Sequence, residues 1–333
     1  MKKRNSLKVM FVISFVLLFS FLAIAADAQG RVFITMPTAT VGGSYYAAGT
    51  VIANLWNEKL RDEYNIIATA QSSKGSIENI EMLKNNEGEV AILNSSVYIP
   101  AYMGIGQFEG NAFEDLRFIA MLWANPMQMV VTENSGVNEL NDLKGLRVSV
   151  GSPGSTSPIT EIMFHGADMT FDDFQAEFLG FDQSVQAMKD GKIEAAQLSG
   201  AIPHPSVLDL FSSRLGVKLI SMKDEEIEKA IESYPYVNSY LIPKDTYPNQ
   251  DYAVQTAAVT TILAVRKDID EEIVYLLTKT IFENLDELEE AYSGLSTTSL
   301  ETAFAGFNVP LHEGAIRYYK ELGMDVPESV MPK

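Results

Sequence analysis

The chain has 333 residues, 47% hydrophobic and 21% charged, with no cysteine and a formal net charge of −19. That length suggests about two domains, and the composition is that of a globular chain with apolar material for two cores. The missing cysteine excludes disulfides, a thiol nucleophile and a lipid-attachment site, and the acidic balance argues against nucleic acid as a partner.

Residues 1–28 read as a secretory signal peptide. Lys2, Lys3, Arg4 and Lys8 form a basic start, and Val9 to Ile24 is apolar except for two serines. Ala23-Ile24-Ala25 and Ala26-Asp27-Ala28 both have the small-x-small form of a cleavage site. The alternative is an uncleaved anchor, but the run is short for a full span. Loss of these residues takes the net charge from −19 to −22. A soluble exported chain without an anchor points to an enclosed periplasm.

Arg31 to Met36 is predicted as a first strand. It leads through Pro37–Tyr46 into a helix with apolar Ala47, Val51, Ile52, Leu55 and Trp56. Gly42 and Gly43 allow close backbone approach to a ligand, and Ser44 has the chemistry of an N-cap. Tyr45 and Tyr46 read either as packing residues or as a ligand wall, since open α/β sheets bind at strand-to-helix turns. The device recurs: a strand over 64–71, the loop Ser72–Ser76, then a helix from Ile77 through Lys84. Lys74 is a candidate pocket cation, or simply a solvated lysine. A third strand, 89–93, stops at Asn94-Ser95-Ser96. Gly104-Ile-Gly-Gln-Phe-Glu-Gly110 superficially resembles a dinucleotide fingerprint, but it follows no strand and its third glycine is one place late.

Strands are predicted over 116–123 and 127–132, the second as a crossing into another domain. Arg147–Val150 is a strand that runs into Gly151-Ser-Pro-Gly-Ser-Thr-Ser157. A helix follows, with Pro158 in its first turn and Ile159, Ile162, Met163 and Ala167 on one face. Ser155, Thr156 and Ser157 are capable N-caps, and their N–H groups at a positive helix end suit a carboxylate. The same residues also make an ordinary capped loop. Next come a strand over 174–179, a helix over 184–189, and a strand over 193–198 ending at Ser199-Gly-Ala-Ile-Pro203. A helix to Phe211, a strand over 217–221 and an acidic helix over 224–233 follow. The apolar stretch 253–265 is the strand returning to the first domain, and helices over 270–277, 283–292 and up to Leu322 complete the chain. Two βα domains joined by two crossovers define a cleft.

Catalytic chemistry is missing from this pattern. His165, His204 and His312 have no metal-ligand spacing, there is no Gly-x-Ser-x-Gly elbow, and no glycine-lysine P-loop end. No cofactor or metal motif stands out. His204, between two prolines, reads as a helix cap or a ligand contact, and His312 as structural.

Five segments together resemble the TAXI-type solute receptors of tripartite ATP-independent periplasmic (TRAP) transporters. They are Gly42-Gly-Ser-Tyr-Tyr46, Ser73-Lys-Gly-Ser-Ile-Glu-Asn79, Asp142-Leu-Lys-Gly-Leu-Arg-Val-Ser-Val-Gly151 with Gly154-Ser-Thr156, Asp190-Gly-Lys-Ile-Glu-Ala195, and Leu311-His-Glu-Gly-Ala-Ile-Arg-Tyr-Tyr319. The resemblance implies an α/β, two-lobed type II periplasmic-binding-protein fold with hinge strands and a central ligand cleft. It implies a first lobe of residues 29–128 and 256–333 and a second of 129–255. It also implies no catalysis, and delivery of a small carboxylate (glutamate, glutamine or 2-oxoglutarate-like) to a TRAP permease. Gln197-Leu-Ser-Gly200 and Asn94-Ser95 depart from the family pattern. The expected ligand-binding residues are Gly43, Ser44, Tyr45, Ser73, Lys74, Ser76, Asn94, Ser155, Thr156, Ser157 and Ser199, with the carboxylate on the N–H groups of 155–157. No arginine falls in a pocket loop, so recognition by hydroxyls and backbone dipoles is expected. The alternatives are a receptor for an ABC importer or a sensor kinase, which shares this fold, and a secreted hydrolase.

Overall fold

The computed structural model describes residues 30–154, 156–304 and 309–332; the predicted signal segment and Ser155 lie outside them. In chain order the elements are β1 (Val32–Pro37), α1 (Ser44–Tyr64), β2 (Ile66–Gln71), α2 (Ser76–Lys84), β3 (Val90–Asn94), α3 (Ser95–Met103) and β4 (Leu116–Pro126). They continue with β5 (Met129–Thr132), β6 (Arg147–Ser149), α4 (Ser157–Gly166), β7 (Gln175–Glu177), α5 (Phe181–Lys189), β8 (Ala195–Gln197), α6 (Pro205–Ser212), β9 (Val217–Ile220) and α7 (Asp224–Ser233). The last are β10 (Asn238–Ile242), β11 (Val254–Arg266), α8 (Glu271–Phe282), α9 (Leu285–Ala291) and α10 (Glu313–Glu321).

The architecture is mixed α/β with two lobes. In the first, β1 and β2 run parallel, with Val32 opposite Ile66. The N–H of Glu89 donates to the Thr35 carbonyl at 3.0 Å and brings the start of β3 beside β1. β11 then pairs antiparallel with β3, with β4 and, at its N-terminal end, with β10. The second lobe holds a five-stranded sheet in the order β7-β6-β8-β5-β9. Here β6 is parallel to β7 and β8, and β5 is antiparallel to β8 and β9. The chain passes from β4 to β5 beside β11, where the N–H of Met127 donates to the Ala257 carbonyl at 2.9 Å.

Helical spacing explains how the helices attach. Along α1, Ala48, Ile52, Leu55, Trp56 and Leu60 fall on one face and are buried against β1–β3 and α8. The Trp56 indole N–H finds the Leu277 carbonyl at 3.1 Å, so its polar atom costs nothing inside the core. Asn65, at φ 56°, ends α1 in the left-handed conformation and turns the chain into β2. One face of the second sheet packs Val148, Ile162, Phe164 and Ile220; the other packs Val185, Met188, Leu198 and Leu210.

Several boundaries differ from the sequence expectations. α3 begins directly after β3 and carries Pro100 within it, which masks it as a helix in the sequence. β10 is largely exposed at its start and shows no apolar alternation. α5 begins at Phe181, three residues earlier than its apolar spacing suggests.

Candidate functional site

Helices α1, α2 and α3 each start just after the C-terminal end of a strand in the first lobe, and α4 follows β6 in the second. Among these helix starts lies a small enclosed cavity lined by Ala39, Ser44, Tyr45, Asn94 and Asn125 from one side and Thr156, Ile159, Phe181 and Ser199 from the other. Its volume is about 10 Å³, the room of one water. Among the described residues no charged side chain lines it. The favourable potential for an anion therefore comes from helix N-termini and neutral polar groups.

A hydrogen-bonded chain sets the polar wall. The Asn125 amide donates to the Tyr45 hydroxyl at 3.1 Å, which also pairs with Thr261 Oγ1 at 3.2 Å. The Tyr45 ring stands edge-on to Trp123, centroids 5.8 Å apart. Burial pushes the Tyr45 phenol above its ordinary range, so it stays a neutral donor and acceptor. Asn94 donates to Ser76 Oγ at 3.1 Å and accepts from Ser96 Oγ. Two lining atoms are left over: Ser44 Oγ, which has the Tyr292 hydroxyl as a neighbour but no well-formed hydrogen bond to it, and Asn125 Oδ1 are buried without a hydrogen bond. An unpaired buried polar atom costs free energy on the order of 1–3 kcal/mol, so two at one cavity mark it as a place for a polar guest.

The two walls touch. Gly154 accepts the N–H of Ile77 at 3.0 Å, and Ser206 Oγ donates to the Gly42 carbonyl at 2.9 Å. A Cβ on Gly43 would fall 2.7 Å from the Phe181 ring, and one on Gly200 only 2.3 Å from Ser44 Oγ. Gly42 at φ 85° and Gly154 at φ 80° hold left-handed conformations that suit glycine at these approaches.

Of the residues expected at the site, Ser44, Tyr45, Asn94, Thr156 and Ser199 line the cavity. Gly43 forms the wall against Phe181, and Ser76 stands behind Asn94. Ser73 is used locally, donating to Asn79 Oδ1 at 2.6 Å and accepting from the Gly75 N–H at 3.0 Å. Lys74 is exposed and does not line the cavity, so it supplies no cation there. The N–H of Ser157 is taken by the Ser152 carbonyl at 3.3 Å, so it is not open to a carboxylate. Ser44 does not cap α1; Gly43 holds that position, which leaves the Ser44 hydroxyl free of any backbone cap and near the Tyr292 hydroxyl. Ala39, Asn125, Ile159 and Phe181 were not anticipated. Asn125 had a legible signal: a lone amide near the end of the apolar run Leu116–Pro126.

His204 and His312 both cap helices. His204 Nδ1 accepts the Ser206 N–H at 3.2 Å, and His312 Nδ1 the Gly314 N–H at 3.1 Å. Among the described residues no cluster of three or more His, Asp or Glu side chains could hold a metal ion, and no helix is long and apolar enough to cross a membrane.

Solved structures share this architecture. PhnD1 from Prochlorococcus marinus, in complex with methylphosphonate, is 13% identical and superposes with a TM-score of 0.54, covering 87% of this chain and 98% of that one. A protein of Bordetella bronchiseptica RB50 is 16% identical, with a TM-score of 0.52 over 90% and 91% of the two chains. The periplasmic aliphatic sulphonate binding protein SsuA from Escherichia coli is 16% identical, with a TM-score of 0.48 over 88% of this chain and 79% of that one. The fold is that of the two-lobed periplasmic binding proteins. The chain belongs to the NMT1-like family, whose pattern matches residues 36–323.

Proposed function

We propose that this chain is an extracytoplasmic solute receptor that closes two lobes, 29–128 with 256–333 and 129–255, on a small carboxylate or amino acid and hands it to a membrane importer without altering it. The observation that carries this reading is the cavity between the lobes, ringed by helix starts and lined by the unpaired Ser44 Oγ and Asn125 Oδ1. PhnD1, which shares the fold, was solved with methylphosphonate. The cavity holds one water's volume, so any solute larger than that enters by separation of the lobes. A hydrolase needs a base on its nucleophile. Among the described residues neither Ser44 Oγ nor Thr156 Oγ1 is hydrogen-bonded to a histidine or carboxylate.

The fold is common to receptors of ABC importers, which stand first as the partner. The TAXI-like segments carry a TRAP permease as the second reading. Native mass spectrometry of freshly purified protein, followed by calorimetric titration with glutamate and 2-oxoglutarate, tests the receptor. A retained or titrating small anion is expected. A chain that retains none and gives no heat with either compound rejects the ligand class. Co-purification with an ATP-binding subunit or with a TRAP permease separates the two partners.

A further inference from the structure

Helix α4 separates the cavity from a second inter-lobe groove. Thr156 and Ile159 face the cavity; Ser157, Glu161 and Ile162 line the groove. The groove holds about 370 Å³, within the size range of small-molecule sites. Ile77, Ser96 and Gln107 reach it from the first lobe, and Tyr234 and Tyr236 from the second.

The chemistry of this groove is opposite to that of the cavity. Glu161 is the one charged side chain among its lining residues. It makes no hydrogen bond or ion pair among the described residues. Beside it stand the Tyr234 and Tyr236 rings, centroids 6.0 Å apart and inclined at 51°. The Tyr234 ring is braced by His165, edge-on at 5.5 Å, whose Nε2 pairs with Ser233 Oγ at 2.9 Å. Tyr236 is tied to the other lobe, since its carbonyl accepts from Ser95 Oγ at 3.3 Å. An unpaired carboxylate that shares a groove with two aromatic rings can attract an organic cation through charge and ring quadrupole together. A hard divalent metal is a poor fit, because it asks for six or more oxygen ligands and the groove offers one carboxylate.

We infer that this groove binds an organic ammonium ion, with Glu161 as its counter-ion and the Tyr234 and Tyr236 rings as its wall. Glu161 is exposed at the groove's mouth, and partial desolvation there raises its carboxyl above the ordinary range, the direction that a bound cation would reverse. Burial also pushes the Tyr236 phenol up to about 12, so it stays neutral and serves as a ring wall. Because the groove is built from both lobes, its occupant stabilises the arrangement in which they meet.

Choline is the probe, titrated into the full chain at about 0.15 M salt and read by saturation-transfer NMR and thermal unfolding. Its uncharged carbon isostere, dimethylbutanol, is the control. Saturable choline binding that raises the unfolding midpoint is expected, with none for the isostere. Glu161→Gln breaks no internal bond, so it should fold with an unchanged midpoint in the absence of choline. It should bind choline roughly threefold or more weakly, the scale of a partly exposed charge pair, and Tyr234→Leu should weaken binding by a similar factor. No choline binding by the wild type, equal binding of the isostere, or unchanged affinity in Glu161→Gln would each overturn the inference. None of these outcomes bears on the carboxylate cavity, which calorimetry with glutamate or 2-oxoglutarate reads separately.

Discussion

His204 accepts the Ser206 N–H at Nδ1, so its own proton sits on Nε2, buried and without a partner. Burial takes its pKa from 6.5 to about 3. The unfolded chain therefore takes up a proton between those values that the folded chain refuses. The stability from neutral His204 is complete above pH 6.5 and is lost as pH falls toward 3, by at most about 1.4 kcal/mol per pH unit. His312, lowered by burial, acts in the same direction. His204→Asn keeps a capping acceptor and removes the titration. Urea unfolding at a series of pH values should show a shallower acid loss for this variant than for wild type; parallel curves would contradict the assignment. Ser44 presents a different case, because its hydroxyl forms no well-aligned hydrogen bond, the Tyr292 hydroxyl lying near it without one. Ser44→Ala should leave the unfolding midpoint unchanged or raise it, while solute affinity measured by calorimetry falls roughly tenfold or more, the loss of one hydrogen bond to a charged group. A variant that loses stability without losing affinity would assign Ser44 to the fold alone. Both residues were visible in the sequence, though differently. A histidine flanked by prolines already read as a cap. Ser44 was picked out twice, as a cap and by resemblance as a ligand contact; the cap reading fails, because Gly43 takes that position in the packed structure.

At the scale of elements, the repeated strand, glycine-hydroxyl loop and helix start was legible because its backbone logic is local. β1, β2 and β6 with their following helices stand close to their expected places. What escaped depends on partners distant in sequence. β10 is recognisable only by its pairing with β11, and α3 is hidden by Pro100 and by two serines at its start. The far wall of the site was equally hidden: Phe181 and Ile159 are ordinary apolar residues until the lobes meet. Their meeting depends on close approach. Gly43 has φ −88°, a conformation that alanine also adopts, so Gly43→Ala leaves α1 intact. Its methyl, however, would sit 2.7 Å from the Phe181 ring and hold the walls apart. If closure completes the site, apparent affinity should fall in proportion to the closed fraction, roughly tenfold for a penalty of about 1.4 kcal/mol. Small-angle scattering with saturating solute should then show a larger radius of gyration than liganded wild type. Equal affinity and equal radius would mean that this contact plays no part in closure.

The whole molecule sets a field that opposes its proposed guest. The sequence carries −19 formal charges, while no lining residue of the cavity is charged. Arg and Lys side chains that pair with carboxylates do so elsewhere, as Arg147 does with Glu194 and Arg317 with Glu272. Capture of that proposed guest would therefore rest on short-range groups: Ser44 Oγ, which can donate to an anion, and helix starts whose influence fades beyond the first turn. The long-range potential is negative and slows the approach of an anion. Salt shortens the reach of that repulsion, with a screening length of roughly 30 Å at 0.01 M and about 8 Å at 0.15 M. The contacts inside the closed cavity are screened much less. Association of an anionic solute should thus quicken with salt, by a factor of about two to five over that range, while dissociation changes little. Trp123, edge-on to cavity-lining Tyr45, is a natural fluorescent reporter for stopped-flow measurement. A receptor that steered its anion with a basic cleft would show the reverse slope. An association rate that drops as salt is added would therefore place cations on the entry path, against the neutral, dipole-built site.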